Sequence, residues 1–97
     1  MEPAVELRKN ETAHEYELWI GGEQAGHADY QLVGNTVVLP SVVIRPSHRG
    51  GRLGSTLVKF ALDDVIAAGN QIDPVCPFVK AYIQRHPEYE RFVADGR

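Results

Sequence analysis

In TVVLPSVVIRPSHRGGRLGSTLVKFALDDVIAAGN, residues 36–70, an apolar run, a glycine-rich turn and a helix-like segment follow one another. The first ten residues, 36–45, are apolar at nearly every position, the pattern of a strand buried on both faces at the centre of a sheet. Pro40 interrupts the run. It has no N–H for the ladder, so inside a strand it marks a bulge or the point where pairing stops, with two short kinked strands as the plainer option. From 52 to 68 the period becomes helical. Arg52, Thr56, Lys59 and Asp63 make a polar stripe, and Leu57, Val58, Ala61, Leu62 and Val65 make the face that packs on the sheet. Lys59 and Asp63 stand one turn apart and can pair. Gly69-Asn70 supplies a left-handed stop.

Outward from this unit, EYELWI at 15–20 alternates Tyr16, Leu18 and Ile20 with Glu15, Glu17 and Trp19, a half-buried strand closed by paired glycines. Ala28, Tyr30 and Leu32 alternate again up to the turn at Gly34-Asn35. After the helix, QIDPVCPFV at 71–79 reads as a short fifth strand, with Pro74 and Pro77 limiting its pairing. Residues 78–85 form a short helix stopped before Pro87, and 87–93 a final turn or two packing Tyr89 and Phe92. The expected fold is α/β (α+β): a mixed, mainly antiparallel sheet crossed by one major helix.

A chain of 97 residues without repeats, linkers or low-complexity segments suits one domain with a modest core. Its net charge of −3 argues against nucleic acid as a main partner, although Arg45, His48, Arg49 and Arg52 concentrate positive charge locally. Cys76 is the sole cysteine, which rules out an intrachain disulfide and fits a reducing compartment. The polar first residues lack a signal-peptide core, and no run approaches the roughly 20 apolar residues of a membrane span. The expected location is the cytoplasm, with no membrane partner.

A strand, a glycine-rich loop and a helix mouth together suit an anion. The first helical amides have no internal acceptors and carry partial positive charge, and glycines let the loop backbone approach a bulky phosphate. Arg49 and Ser55 would add a full charge and a hydroxyl, which makes a pyrophosphate the natural ligand. The same glycines serve equally well in a tight strand-to-helix connection. Neither GxxxxGK[ST] nor GxGxxG is present, so a nucleotide-hydrolysing loop and a dinucleotide fingerprint are both absent.

Arg49-Gly50-Gly51-Arg52-Leu53-Gly54 resembles the [Q/R]-x-x-G-x-[G/A] loop of the GNAT superfamily of N-acetyltransferases, which cradles the pyrophosphate of coenzyme A. DPVCPFVKAYIQRHPEY, residues 73–89, resembles the more specific cysteine-proline and tyrosine-helix signature of the minimal single-domain GNAT-like family. The resemblance runs from Leu18 to Val93 and implies a GNAT-like five-stranded sheet with one major helix and short C-terminal helices. It implies acetyl-CoA or coenzyme A as cofactor, with Arg49, Gly50, Gly51, Arg52, Leu53, Gly54 and Ser55 around the pyrophosphate. Val42, Val43 and Ile44 would offer backbone groups to the pantetheine arm, and Cys76 would lie across a V-shaped opening near the thioester. The chain departs from the family at two places. Arg52 stands where the loop usually has a glycine, which implies weakened or altered binding, and the family's histidine-Thr-Glu falls at Ser41, Val42 and Val43.

Acetyl transfer to an amine needs a deprotonated amine, a donor for the oxyanion and a proton for the departing thiolate. A strand-bulge amide suits the second task. Cys76 suits the third, or accepts the acetyl group itself, against the plainer role of a small buried hydrophobe. His86 at a helix end reads as a cap or surface contact, His14 and His27 as solvated hairpin residues, Tyr82 and Tyr89 as core, and Asp63-Asp64 as a solvated face. No spacing in the sequence suggests metal ligands, so no metal is expected. Three functions compete: an acetyl-CoA-dependent N-acetyltransferase acting on a primary amine of a small molecule or a lysine, a non-catalytic coenzyme A or acyl-CoA-binding module, and a small interaction domain. A monomer or weak homodimer suits any of them.

Overall fold

The computed structural model describes residues 4–48 and 52–94. Five strands, β1 (Val5–Asn10), β2 (Glu15–Ile20), β3 (Glu23–Val33), β4 (Thr36–Ile44) and β5 (Gln71–Asp73), lie side by side in chain order. The first four pair antiparallel. β5 returns parallel to β4 after the helix α1 (Leu53–Ala67), and α2 (Pro77–Arg85) and a 3₁₀ turn at Pro87–Phe92 complete the described chain. A short 3₁₀ turn, Pro46–His48, leads out of β4. No helix among the described residues is long and apolar enough to cross a membrane.

The helical period gives α1 the face expected of it. Leu57, Val58, Ala61, Leu62 and Val65 are its buried residues. They join Tyr16, Leu18, Ala28, Leu39 and Ile72 of the sheet and Val79 and Ile83 of α2 in one core cluster. Gly69 takes φ +80 just past the helix end, and Lys59 pairs with Asp63 at 2.7 Å. Asp63 and Asp64 are not merely a solvated face, because each is tied across the core boundary. Tyr89 donates to Asp63 at 2.6 Å, while Tyr16 and Lys9 reach Asp64 at 2.8 and 2.9 Å.

Two expectations need correction, and one strand lies outside them. The run at 36–45 is neither central nor buried on both faces. β4 lies one place from the sheet edge and buries Val37 and Leu39 on the face covered by α1, while Val38, on the other face, is half-buried and Pro40 is exposed. The strand expected over 71–79 stops at Asp73, since the N–H of Cys76 turns to the Leu39 carbonyl and Pro77 opens α2. Finally, the polar N-terminal segment supplies β1, an edge strand whose Val5 remains exposed.

The bulge expected at Pro40 is present. Ser41 pairs with Asp29 and Val38 with Gln31, so Leu39 and Pro40 together stand opposite Tyr30 alone. Past it β4 hugs β3 closely. A Cβ on Gly26 would lie 2.8 Å from the Val43 carbonyl oxygen and 2.5 Å from Ile44 Cδ1.

Candidate active site

β4 and β5 pair only from Thr36↔Gln71 to Val38↔Asp73. Beyond that point β4 continues to Ile44 against β3, while the chain after β5 turns away into α2. One further bond, from Cys76 N–H to Leu39 carbonyl at 2.9 Å, closes the apex of the resulting opening. The bulge thus ends strand pairing at the place where Cys76 is brought to β4.

The ladder decides which backbone groups face that opening. Arg45 N–H donates to the Ala25 carbonyl at 2.8 Å, which makes 45 and 25 a hydrogen-bonded pair. Antiparallel pairing alternates, so Ser41 and Val43 also turn their backbone groups to β3. Val42 and Ile44 turn theirs to the opposite edge, and their side chains pack on the core. Of the three residues expected along a pantetheine arm, Val42 and Ile44 therefore present main-chain groups outward, and Val43 presents an exposed side chain.

α1 opens at Leu53, after β4 has ended at Ile44. Arg52 is its N-cap, with φ −96 and ψ 12 and no side-chain cap, and Thr56 N–H makes the first helical bond to the Arg52 carbonyl at 2.9 Å. Helix geometry leaves the amides of Leu53, Gly54 and Ser55 without helical acceptors, and no acidic residue sits in the first turn to repel an anion. Gly54 also meets α2. A Cβ there would come within 2.8 Å of the Phe78 ring, so the two helix starts touch. Arg49, Gly50 and Gly51, the other half of the expected cradle, lie outside the described residues. Arg45 is held by Glu23 at 3.6 Å.

Cys76 is 6% exposed and caps α2, its carbonyl accepting the Lys80 N–H at 3.0 Å. Ser41, where the resembled family carries histidine, donates its hydroxyl to Asp29 Oδ2 at 2.5 Å. Its proton is committed and it offers no base. His86 stacks on Tyr82, with ring centroids 4.2 Å apart, and its backbone N–H closes α2. Tyr82 and Tyr89 are buried, and their phenols are pushed above the ordinary range, first by burial.

A polar group that the motifs do not single out gathers on the sheet face opposite α1: Glu15, Glu17, His27, Asp29 and Ser41. Glu17 is buried and accepts from Asn10 Nδ2 at 3.0 Å and Trp19 Nε1 at 2.9 Å. Burial raises its pKa, but those bonds and one shared with Glu15 outweigh it and hold the carboxyl below its ordinary range. Glu15 is pushed up, by burial first and then by Glu17. Strand alternation alone could have signalled that His27 and Asp29 share a face. Only the register adds Glu15 and Ser41.

The fold recurs in solved acetyltransferases. The ribosomal-protein-S18-alanine N-acetyltransferase from Escherichia coli superposes with a TM-score of 0.58 at 22% identity, over 60% of this chain and 38% of that one. N-acetylglutamate synthase from Neisseria gonorrhoeae, solved with coenzyme A and N-acetyl-glutamate, gives 0.57 at 16% identity, over 70% of this chain and 18% of that one. Both likenesses establish the fold, and this chain spans well under half of either enzyme. No curated protein matches the sequence. The family model of the GCN5-related N-acetyl-transferases matches residues 15–92, and the chain belongs to that family.

Proposed function

We propose that the protein is an acetyl-CoA-dependent N-acetyltransferase, a single domain over its 97 residues that moves an acetyl group to a primary amine of a small molecule or a protein lysine. The supporting observation is the opening between β4 and β5, where the outward main-chain groups of Val42 and Ile44, the uncapped mouth of α1 and Cys76 border one gap. Coenzyme A would lay its pantetheine arm along β4 past Val42, Val43 and Ile44. Its pyrophosphate would rest on the amides from Arg49 to Ser55. The bulge at Leu39-Pro40 would place an N–H donor near the thioester carbonyl. Cys76 would return a proton to the leaving thiolate or accept the acetyl group before the amine does. The amine arrives deprotonated from solvent, because Ser41 provides no base. A cytoplasmic location, with no nucleic-acid or membrane partner, and a monomer or weak homodimer complete the proposal.

A second reading follows from the same serine. With its hydroxyl tied to Asp29, the site supports a module that binds coenzyme A or an acyl-CoA without turnover. Calorimetric titration with coenzyme A tests both readings, and absence of saturable heat at millimolar ligand overturns both. If binding is found, labelled acetyl-CoA with a panel of polyamines, amino acids and basic peptides separates them. Label transfer above hydrolysis establishes the enzyme, and hydrolysis alone establishes the binding module.

A further inference from the structure

We propose that Glu15, His27 and Asp29 form a binding site for a divalent first-row transition metal, Zn²⁺ foremost, on the sheet face opposite α1. The strand register builds it. Tyr16 points toward α1, its hydroxyl on Asp64, so Glu15 takes the other face, and it stands directly opposite Asp29 across the β2–β3 ladder. His27 lies two residues from Asp29 on the same strand and therefore on the same face.

One ligand atom from each of the three residues lies within 4.8 Å of the others, and all three residues are half-buried. His27 Nε2 stands 3.8 Å from Asp29 Oδ1. Ligands on a tetrahedral zinc are roughly 3.3 Å apart, the edge set by bonds of about 2.0–2.1 Å. Small side-chain rotations close that difference. An imidazole nitrogen with two carboxylate oxygens suits zinc, cobalt or manganese in falling order of affinity, and it serves magnesium and calcium poorly because they favour all-oxygen sets. The two carboxylates balance a dication.

Outer partners already hold both carboxylates. Gln24 Nε2 donates to Glu15 Oε1 at 3.3 Å, and Ser41 holds Asp29 by Oδ2, which leaves Oδ1 as the oxygen turned to His27. Such bonds fix ligand orientation and tune affinity. Beside the cluster lies an open cavity of about 340 Å³, bordered by Glu15, His27, Gln24, Gly26, Val43 and Arg45, with room for the waters that complete the coordination. Arg45 turns to Glu23. The site is independent of the acetyltransferase reading and stands even if coenzyme A does not bind.

The test uses the full chain, freed of metal with a chelator and titrated calorimetrically with ZnCl₂ and then CoCl₂. The expected result is one saturable site that is weakened about tenfold or more in His27→Gln and in Asp29→Asn. His14→Gln, which alters a histidine elsewhere, should bind as wild type. In NMR spectra of the unaltered protein, zinc should shift the His27 imidazole signals and spare those of His14, His48 and His86, a readout that needs no variant to fold. Three results overturn the proposal: no saturable binding at millimolar Zn²⁺, wild-type affinity in both ligand variants, or binding that disappears in Cys76→Ser and so belongs to the thiol.

Discussion

Gly26→Ala puts one methyl group where the structure has no room for it. The new Cβ would stand 2.8 Å from the Val43 carbonyl oxygen and 2.5 Å from Ile44 Cδ1, against an ordinary contact of 3.4 Å or more. The isoleucine tip can rotate away, but the carbonyl belongs to the β3–β4 ladder, so the end of β4 must move by about 0.6 Å. Overpacking of this kind costs about 1–3 kcal/mol. The alanine recovers about 0.4–1 kcal/mol by restricting the unfolded chain, leaving a net loss of about 1–2 kcal/mol. In a domain of this size that lowers the melting temperature by about 4–16 °C, measured by circular dichroism. The displacement also carries Val42 and Ile44 with it, so coenzyme A affinity, measured calorimetrically, should fall in parallel. A melting temperature equal to or above wild type would refute the close approach of the two strands and the role assigned to this glycine.

Gly54→Asp should weaken coenzyme A binding more than Gly54→Ala does, because both press a Cβ toward Phe78 but only the aspartate sets a carboxylate beside the pyrophosphate; equal affinities in titration would count against the cradle. Tyr16→Phe should cost about 1–2 kcal/mol in urea denaturation, since it removes a buried hydroxyl bonded to the Asp64 carboxylate at 2.8 Å. Burial tends to raise the pKa of Asp63, but hydrogen bonds from Lys59 and Tyr89 prevail and hold it below its ordinary range. Its contribution to stability is therefore present above the unfolded-state pKa and lost as pH falls through the folded-state value. Denaturation at pH 7 and pH 3 should show a smaller acid loss in Asp63→Asn than in wild type. Cys76→Ser should leave coenzyme A binding in place and lower acetyl transfer; full turnover would reduce the thiol to packing.

The helix and the bulge were legible because their causes are local. A 3.6-residue period fixed the buried face of α1 residue by residue, and a proline without an N–H marked the bulge of β4 against β3. β1 was hidden because VELRKN alternates weakly and borrows its order from β2, as an edge strand can. The length of β5 was misjudged because the N–H of Cys76 finds its partner on Leu39, far back in the chain. Asp63 and Asp64 looked solvated for a similar reason, since their tyrosine partners lie 26 and 48 residues away. Of the site, Cys76 and the mouth of α1 could be read from motif and period. The gathering of Glu15, His27, Asp29 and Ser41 could not, because it depends on how three strands are aligned rather than on any spacing along them.

The bulge has an arithmetic consequence for the history of this sheet. Val37 and Leu39, at odd positions, point inward before it, and Val42 and Ile44, at even positions, point inward after it. Deleting one residue at Leu39-Pro40 would thus keep every later side chain on its present side and let the strand run straight against β3. A straight strand and a bulged one are separated here by a single codon, and the bulged one is the longer by one amino acid.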